Sequence, residues 1–274
     1  MSGKALRSAA FLNAKTGRSF SVALDHGMQL GPVPGLNQAR PIIKAAVELG
    51  AEGLLLTPGQ MQRNADVLAV RGRPAIMLRV DQTSMWRQGS PTGYVQGQTR
   101  LVGTVEDAMR LGADAVITFL FTCHQDPELE NRSIEICGMM AERCRSLGMA
   151  LVVEPMAARG GLYEDPFTAE AIAMNCRIAA DMGADILKTD WSGDAESFAE
   201  VVAAVDIPVL LAGGAALTSE KKTKTMVGEI MKSGAKGLVF GRNIFQAPNP
   251  KRMMRDLQKL VHNTNGREAG AKSP

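Results

Sequence analysis

The chain has 274 residues, 45% of them hydrophobic and 22% charged, with 28 glycines, four cysteines and a net charge of +3. That is enough chain to bury a substantial core without disulfide or metal staples, which excludes a small free-standing scaffold. No run of about 18 consecutive apolar residues occurs, and the opening MSGKALRSAAFLNAKTGRSF lacks the apolar segment of a secretory signal. The sequence therefore predicts no membrane span and a cytoplasmic protein. Cys123, Cys137, Cys144 and Cys176 form no C-x-x-C pair and read as reduced core residues. The 31 basic and 28 acidic side chains are interspersed and aromatic residues make up only 4%, which is not the pattern of a nucleic-acid reader. The nearest basic run, Lys221, Lys222 and Lys224, reads as a solvated helix face, and the expected partner is a small molecule.

Along the chain, one phrase recurs at the junctions between helices and apolar runs: ELGAEG at 48–53, RLGADA at 110–115, SLGMA at 146–150, DMGADI at 181–186 and KSGAKG at 232–237. Each puts Gly where a helix ends in the left-handed conformation and a buried strand begins. The apolar runs are 20–27, 53–58, 74–81, 115–121, 150–156, 186–190, 208–214 and 237–243. They are short and nearly continuous in hydrophobicity, as parallel strands covered on both faces should be. Segments of helical period lie between them, such as Ala39, Ile42, Ile43, Ala46 and Leu49, or Ile134, Cys137, Met140, Ala141 and Cys144.

Eight such units predict an α/β fold, a single-domain (β/α)8 TIM barrel over residues 1–262 with an N-terminal lead-in; about 250 residues is typical of that fold. A doubly wound sheet would carry G-x-G-x-x-G after its first strand, where this chain has DHGMQLGP. The polar, Gly-rich stretch 82–103 is expected as a loop at the mouth of the barrel, and 263–274 as a flexible tail.

Active sites of this fold lie at the C-terminal ends of the strands. Those ends carry Asp25 and His26, Arg79 and Asp81, His124, Glu154, Lys188 and Asp190, Gly213 and Gly214, and Gly241 and Arg242. Lys188 stands out because Ile186, Lys188 and Asp190 share one face of their strand. Facing inward, its ammonium is partly desolvated, which favours the free amine that attacks a carbonyl. A lysine that snorkels from the strand end or pairs with a carboxylate is the plainer alternative. Gly213, Gly214, Gly241 and Arg242 end the two strands where this fold commonly binds phosphate, although two tight turns would also use such glycines. Glu154 and Asp25 are acid–base candidates, or else an anchor for Arg159 or Arg79 and a turn cap, respectively. With only three histidines, a His-rich metal site is not expected, and His26 is assigned a structural or substrate hydrogen bond.

These residues resemble the class I, Schiff-base aldolases of the archaeal-type fructose-bisphosphate aldolase and DeoC/LacD kind. The matching stretches are LDHG at 24–27, LVGTVEDAMRLGADAV at 101–116, ARGG at 158–161 through GADILKTDWSGD at 183–194, PVLLAGG at 208–214 and GLVFGRNIFQ at 237–246. The resemblance implies that Lys188 forms the imine, that Asp25 holds substrate hydroxyls or assists proton transfer, and that Gly213, Gly214, Gly241 and Arg242 receive a phosphate. It also implies a cofactor-free homo-oligomer acting on a sugar phosphate.

Archaeal-type enzymes tend to carry Tyr-Pro-Arg-Gly after the fifth strand, where this chain has Ala157, Ala158, Arg159 and Gly160. Its Val-Glu-Pro strand end instead looks like tagatose-bisphosphate and sulfofructose-phosphate aldolases, which implies that Glu154 moves the proton, with Tyr163 as a weaker substitute. Arg79, Arg87, Trp86 and the 82–103 loop are expected to read the far end of the substrate, and Trp191 to wall the pocket or fill core. The expected reaction is cleavage of a phosphorylated ketose to dihydroxyacetone phosphate, or a similar ketone, plus an aldehyde. The alternatives are acyl- or aldol-group transfer with the same lysine, and a sugar-phosphate-binding barrel without catalysis.

Overall fold

The computed structural model describes residues 2–87 and 98–263. Among the described residues ten strands form: β1 (Ser19–Ala23), β2 (Gly53–Leu56), β3 (Ala75–Arg79), β4 (Asp81–Thr83), β5 (Thr99–Leu101), β6 (Ala115–Thr122), β7 (Ala150–Ala157), β8 (Ile186–Thr189), β9 (Val209–Ala212) and β10 (Gly237–Phe240). Eight of them close into a parallel barrel in the order β1-β10-β9-β8-β7-β6-β3-β2, while β4 and β5 pair antiparallel outside it. Helices cover the outside, including Arg40–Leu49, Pro127–Leu147 and Glu220–Lys232. The chain is thus the TIM barrel that its eight apolar runs predict. The five junction glycines, Gly50, Gly112, Gly148, Gly183 and Gly234, all have positive φ.

Strand parity divides the core in two. Outward residues such as Leu54, Ile76, Val153 and Leu187 pack beneath the helices, and inward residues such as Met77, Ile117, Val152 and Leu210 fill the barrel. Phe11 of the lead-in, fully buried, joins the inner cluster. The lead-in helix Ser2–Ala9 is held by Arg7, which donates to the Gly148 carbonyl at 2.6 Å. With its lower half filled mainly by apolar side chains, the barrel gathers its charged side chains toward the strands' C-terminal ends.

Three expectations need correction. The run 74–81 is not one strand: β3 ends at Arg79, and Asp81 leaves the barrel wall to accept hydrogen bonds from the Phe119 amide at 2.6 Å and the Thr118 hydroxyl at 2.8 Å. The stretch 82–103 is not wholly a polar loop, since its ends form the β4–β5 pair and bury Thr83, Met85 and Thr99; its middle, 88–97, lies outside the described residues. Cys123 is half-buried with φ 59, where the other three cysteines are buried. Of the expected tail, all but Asn263 lies outside the described residues. Among the described residues, no helix is long and apolar enough to cross a membrane.

The barrel closes where β1 pairs with β10, Ser19 opposite Gly237. Gly237 has φ 146, and a Cβ there would stand 1.8 Å from the Ser19 carbonyl oxygen. Replacing Gly237 with Ala is therefore expected to destabilise the fold by about 3 kcal/mol, read as a lowered midpoint in urea unfolding; an unchanged midpoint would contradict this closure.

Candidate active site

Above the apolar layer a cavity of about 260 Å³ opens at the C-terminal ends of the barrel strands. It brings together Asp25, His26, Arg79, Glu154, Lys188, Gly213, Gly214, Gly241 and Arg242, from six strand ends distant in sequence. The side chains are placed by strand parity. Glu154 continues the inward row of Ala150 and Val152 on β7, and Lys188 follows inward-facing Ile186 on β8. Lys188 Nζ donates to Glu154 Oε1 at 2.5 Å, and both residues are buried.

Arg79 organises the floor. It is fully buried, and its three donor nitrogens each take a different carboxylate: Nε to Asp25 Oδ2 at 2.9 Å, Nη1 to Asp81 Oδ1 at 3.2 Å, and Nη2 to Glu154 Oε2. Its guanidinium lies 3.9 Å from the centre of the Phe119 ring. Burial alone would raise the Asp25 pKa, but the Arg79 guanidinium and the Lys188 ammonium outweigh it and hold the carboxyl below its ordinary value. Asp81 is pushed up by burial despite Arg79. Burial would lower the Arg79 pKa, but the three carboxylates more than reverse it, so this cation is permanent. Asp25 precedes the short helix His26–Leu30 without capping it by its side chain.

The β9–β10 side is built differently. A Cβ on Gly241 would lie 2.2 Å from His26 Cε1, so only glycine lets the imidazole rest on that backbone. His26 sits edge-on to Phe245, its buried Nδ1 has no hydrogen-bond partner, and burial pushes its pKa down to about 4. Asn243 fixes the loop after β9: its Nδ2 donates to the carbonyls of Gly213 and Ala215, and its Oδ1 accepts from the Leu217 amide. Arg242 lines the cavity beside these glycines, and its Nε is buried without a hydrogen-bond partner.

The opposite wall carries Trp86, Phe119, Met156, Arg159 and Phe167. Arg159 donates to Asp190 at 2.8 Å and lies 4.1 Å from the Phe167 ring centre.

Not every expected residue is placed as the sequence suggests. Arg79 borders the cavity, but it is fully buried and each of its three nitrogens is engaged by a carboxylate, so its main partners are the floor carboxylates. Arg87 is not among the cavity-lining residues, and its Nε donates to the Gln29 carbonyl. Tyr163 and His124 also lie off the cavity, and Trp191 packs on the core against Phe198. Asn243 carries no sequence signal beyond its place directly after the GR of the last strand end, and Arg159, a possible partner of Glu154 by sequence, pairs with Asp190. Among the described residues, no group of three or more His, Cys, Asp or Glu side chains is arranged to hold a metal ion.

Two measurements test this electrostatic design. Arg79→Met strips the buried carboxylates of their shared counter-charge and should cost about 3–5 kcal/mol in urea unfolding at neutral pH; a loss below about 1 kcal/mol, the worth of an exposed pair, would mean that solvent already screens the cluster. His26 has a folded pKa of about 4 against an ordinary 6.5, so the unfolded chain binds more protons between those values and stability is lost as the pH falls through them. Relative to His26→Asn, the wild type should lose about 2.5 kcal/mol between about pH 7 and pH 4.5, and a parallel decline in both proteins would refute the assignment.

Known proteins place this arrangement. Residues 20–247 match the DeoC/LacD family of aldolases. An uncharacterised aldolase of Saccharolobus solfataricus is 29% identical over 246 residues, covering 90% of each chain. The 2-amino-4,5-dihydroxy-6-oxo-7-(phosphonooxy)heptanoate synthase of Streptomyces griseus is 30% identical over 257 residues, covering 94% of this chain and 89% of that one. Among solved structures, a Schiff-base-forming fructose-1,6-bisphosphate aldolase superposes with a TM-score of 0.80 at 25% identity, covering 94% of this chain and 99% of that one. An archaeal fructose 1,6-bisphosphate aldolase shares the fold with a TM-score of 0.81 at 24% identity, over the same shares. The chain belongs to the DeoC/LacD family of aldolases and is an enzyme of the class I aldolase type.

Proposed function

We propose that this aldolase works through an imine on Lys188 and acts on a phosphorylated ketose, releasing dihydroxyacetone phosphate or a similar ketone and an aldehyde. The observation that carries the reading is the 2.5 Å contact between Lys188 Nζ and Glu154 Oε1 on the floor of a cavity whose rim holds Arg242 with a buried, unpartnered Nε. A proton passed from Lys188 to Glu154 across that contact leaves a free amine, which adds to the keto carbon. Glu154 returns the proton as the carbinolamine loses water, and the iminium so formed is the electron sink. Glu154 then takes the proton of the hydroxyl β to the imine carbon. The carbon–carbon bond breaks with its electron pair moving toward nitrogen, and the aldehyde departs. Protonation of the remaining enamine and hydrolysis by water free Lys188. No cofactor is called for, because the iminium itself accepts the electrons.

Each neighbour has a part in this reading. Arg79 fixes Glu154 through one oxygen and leaves the other to the lysine, and Asp25 stands within the same cluster to take substrate hydroxyls. Arg242 and the backbone of Gly213, Gly214 and Gly241 receive the phosphate, with His26 packed beneath Gly241. The far end of the substrate falls to Trp86, Phe167 and Arg159 in place of Arg79 and Arg87. The family reading also carries a cytoplasmic homo-oligomer. The same steps run in reverse join an aldehyde to the enamine, and the Streptomyces relative favours this direction as the second reading: the product in its name has a hydroxyl β to a ketone, beside a phosphorylated carbon.

Borohydride reduction in the presence of dihydroxyacetone phosphate should fix the ketone's mass on the peptide containing Lys188. Lys188→Met should abolish the adduct and lower turnover by about four orders of magnitude in a variant that still unfolds in one cooperative transition. An adduct on another lysine, or substantial activity in the variant, would overturn the imine at this position.

A further inference from the structure

A proline interrupts the barrel wall beside the reacting lysine. Among the described residues, β7 is the one barrel strand with a proline inside it, and that residue is Pro155, directly after Glu154. Sheets tolerate proline at an edge, at a first residue or at a bulge, because elsewhere it removes a ladder hydrogen bond. A closed barrel has no edge. Pro155 therefore breaks a local rule of strand chemistry next to the residue that faces Lys188, which is where such breaches mark function.

The pairing shows which bond is lost. β6 and β7 stay in register from Ala115 opposite Ala150 to Thr122 opposite Ala157, and the Ala158 amide donates to the Thr122 carbonyl at 2.8 Å. Amides alternate sides along a strand, so position 155, three residues earlier, faces β8. There the ladder stops. β7 and β8 pair at Val152–Ile186 and Val153–Leu187, whereas β8 runs on against β9 through Thr189 opposite Leu211. The next rung of a parallel ladder would carry a residue-155 amide to the Lys188 carbonyl, and proline has no such proton. The Pro155 carbonyl would in turn accept the Asp190 amide, but it accepts the Thr189 hydroxyl instead, at 3.2 Å. Thr189 is fully buried on the outward face of β8, where the Cys176 thiol of the helix Ala169–Asp181 meets it. It does not line the cavity, so it acts on a substrate only through its neighbours.

We infer that Pro155 and Thr189 are positioning residues for the imine chemistry: the proline keeps the seam between β7 and β8 unzipped at the level of Lys188, and the Thr189 hydroxyl sets its width. The inference rests on the imine reading of Lys188. Glu154 precedes Pro155 and Lys188 precedes Thr189, so one bridge on the outer face of the wall couples the two residues whose side chains meet on its inner face at 2.5 Å. In the proposed reaction the amine leaves Glu154 for the keto carbon and returns when the imine is hydrolysed. Ladder bonds on both sides of β8 would fix the Lys188 backbone at strand spacing. Held by β9 and by a single hydroxyl, the lysine makes that excursion and comes back to the same register. A ladder bond is given up for reach, as at other sites where activity and stability compete.

The test follows borohydride trapping of dihydroxyacetone phosphate by the full-length enzyme, as a rate at saturation and a half-saturating concentration, beside the midpoint of urea unfolding. Pro155→Ala returns an amide to the ladder and should slow trapping about tenfold, with the half-saturating concentration unchanged and the midpoint at or above that of the wild type. Thr189→Val removes the bridge alone and should also slow trapping about tenfold, but with a lowered midpoint, and Thr189→Ser should restore both. A zipped seam and an unlatched one thus lose rate with opposite effects on stability, which general damage to the barrel does not do. An undiminished rate in Pro155→Ala, a Pro155→Ala protein that is less stable or fails to fold, or a Thr189→Ser protein no faster than Thr189→Val would each overturn the inference. The wild type separates the two failures. An adduct on Lys188 without these effects of substitution removes this inference only, whereas the absence of a wild-type adduct removes the imine reading and the inference with it.

Discussion

One guanidinium holds the floor of this site together. Arg79 spends each of its donor nitrogens on a different carboxylate, and those carboxylates come from the chain after β1, from the start of β4 and from β7. Burying four charges yields little net stability, because desolvation cancels most of the attraction, but removing one member leaves the others unpaired. What the cluster secures is orientation. Glu154 is held through Oε2, so Oε1 is directed at Lys188, and a proton has a single short path between the two. Asp81 is itself pinned by the Phe119 amide and the Thr118 hydroxyl, so the guanidinium inherits its position from the backbone of β6.

The fold was legible because each of its signals is local. A glycine that ends a helix, an apolar run of strand length and their repetition are set by neighbouring residues, and all five junction glycines adopt the positive φ that the pattern requires. The inward parity of Lys188 and Glu154 was readable for the same reason, since strand periodicity fixes a face without knowledge of any partner. Closure of the barrel then carries the strand ends to a common centre, and the cavity gathers Asp25, Lys188, Gly213, Gly241 and Arg242.

What escaped the sequence depends on which groups meet across the barrel. Arg79 and Arg87 looked alike as strand-end and loop cations. One is buried under three carboxylates and the other donates to a backbone carbonyl, and neither outcome is encoded in its own neighbourhood. The apolar run through Val80 concealed the bend at Asp81, because outward burial continues while the hydrogen bonding of the chain changes direction. Asn243 is invisible for a related reason: its four hydrogen-bond partners lie on a loop some 30 residues earlier and on the helix that follows it.

The cavity walls differ in the groups they present. At the β9–β10 end the binding groups are glycine backbone and one arginine whose Nε makes no hydrogen bond, a surface suited to an anion that arrives with its own charge. On the β6–β7 wall the only cation, among the described residues, that the floor cluster does not consume is already faced by a carboxylate. By committing Arg79 to Asp25, Asp81 and Glu154, the barrel uses its central cation to orient the carboxylate that faces Lys188.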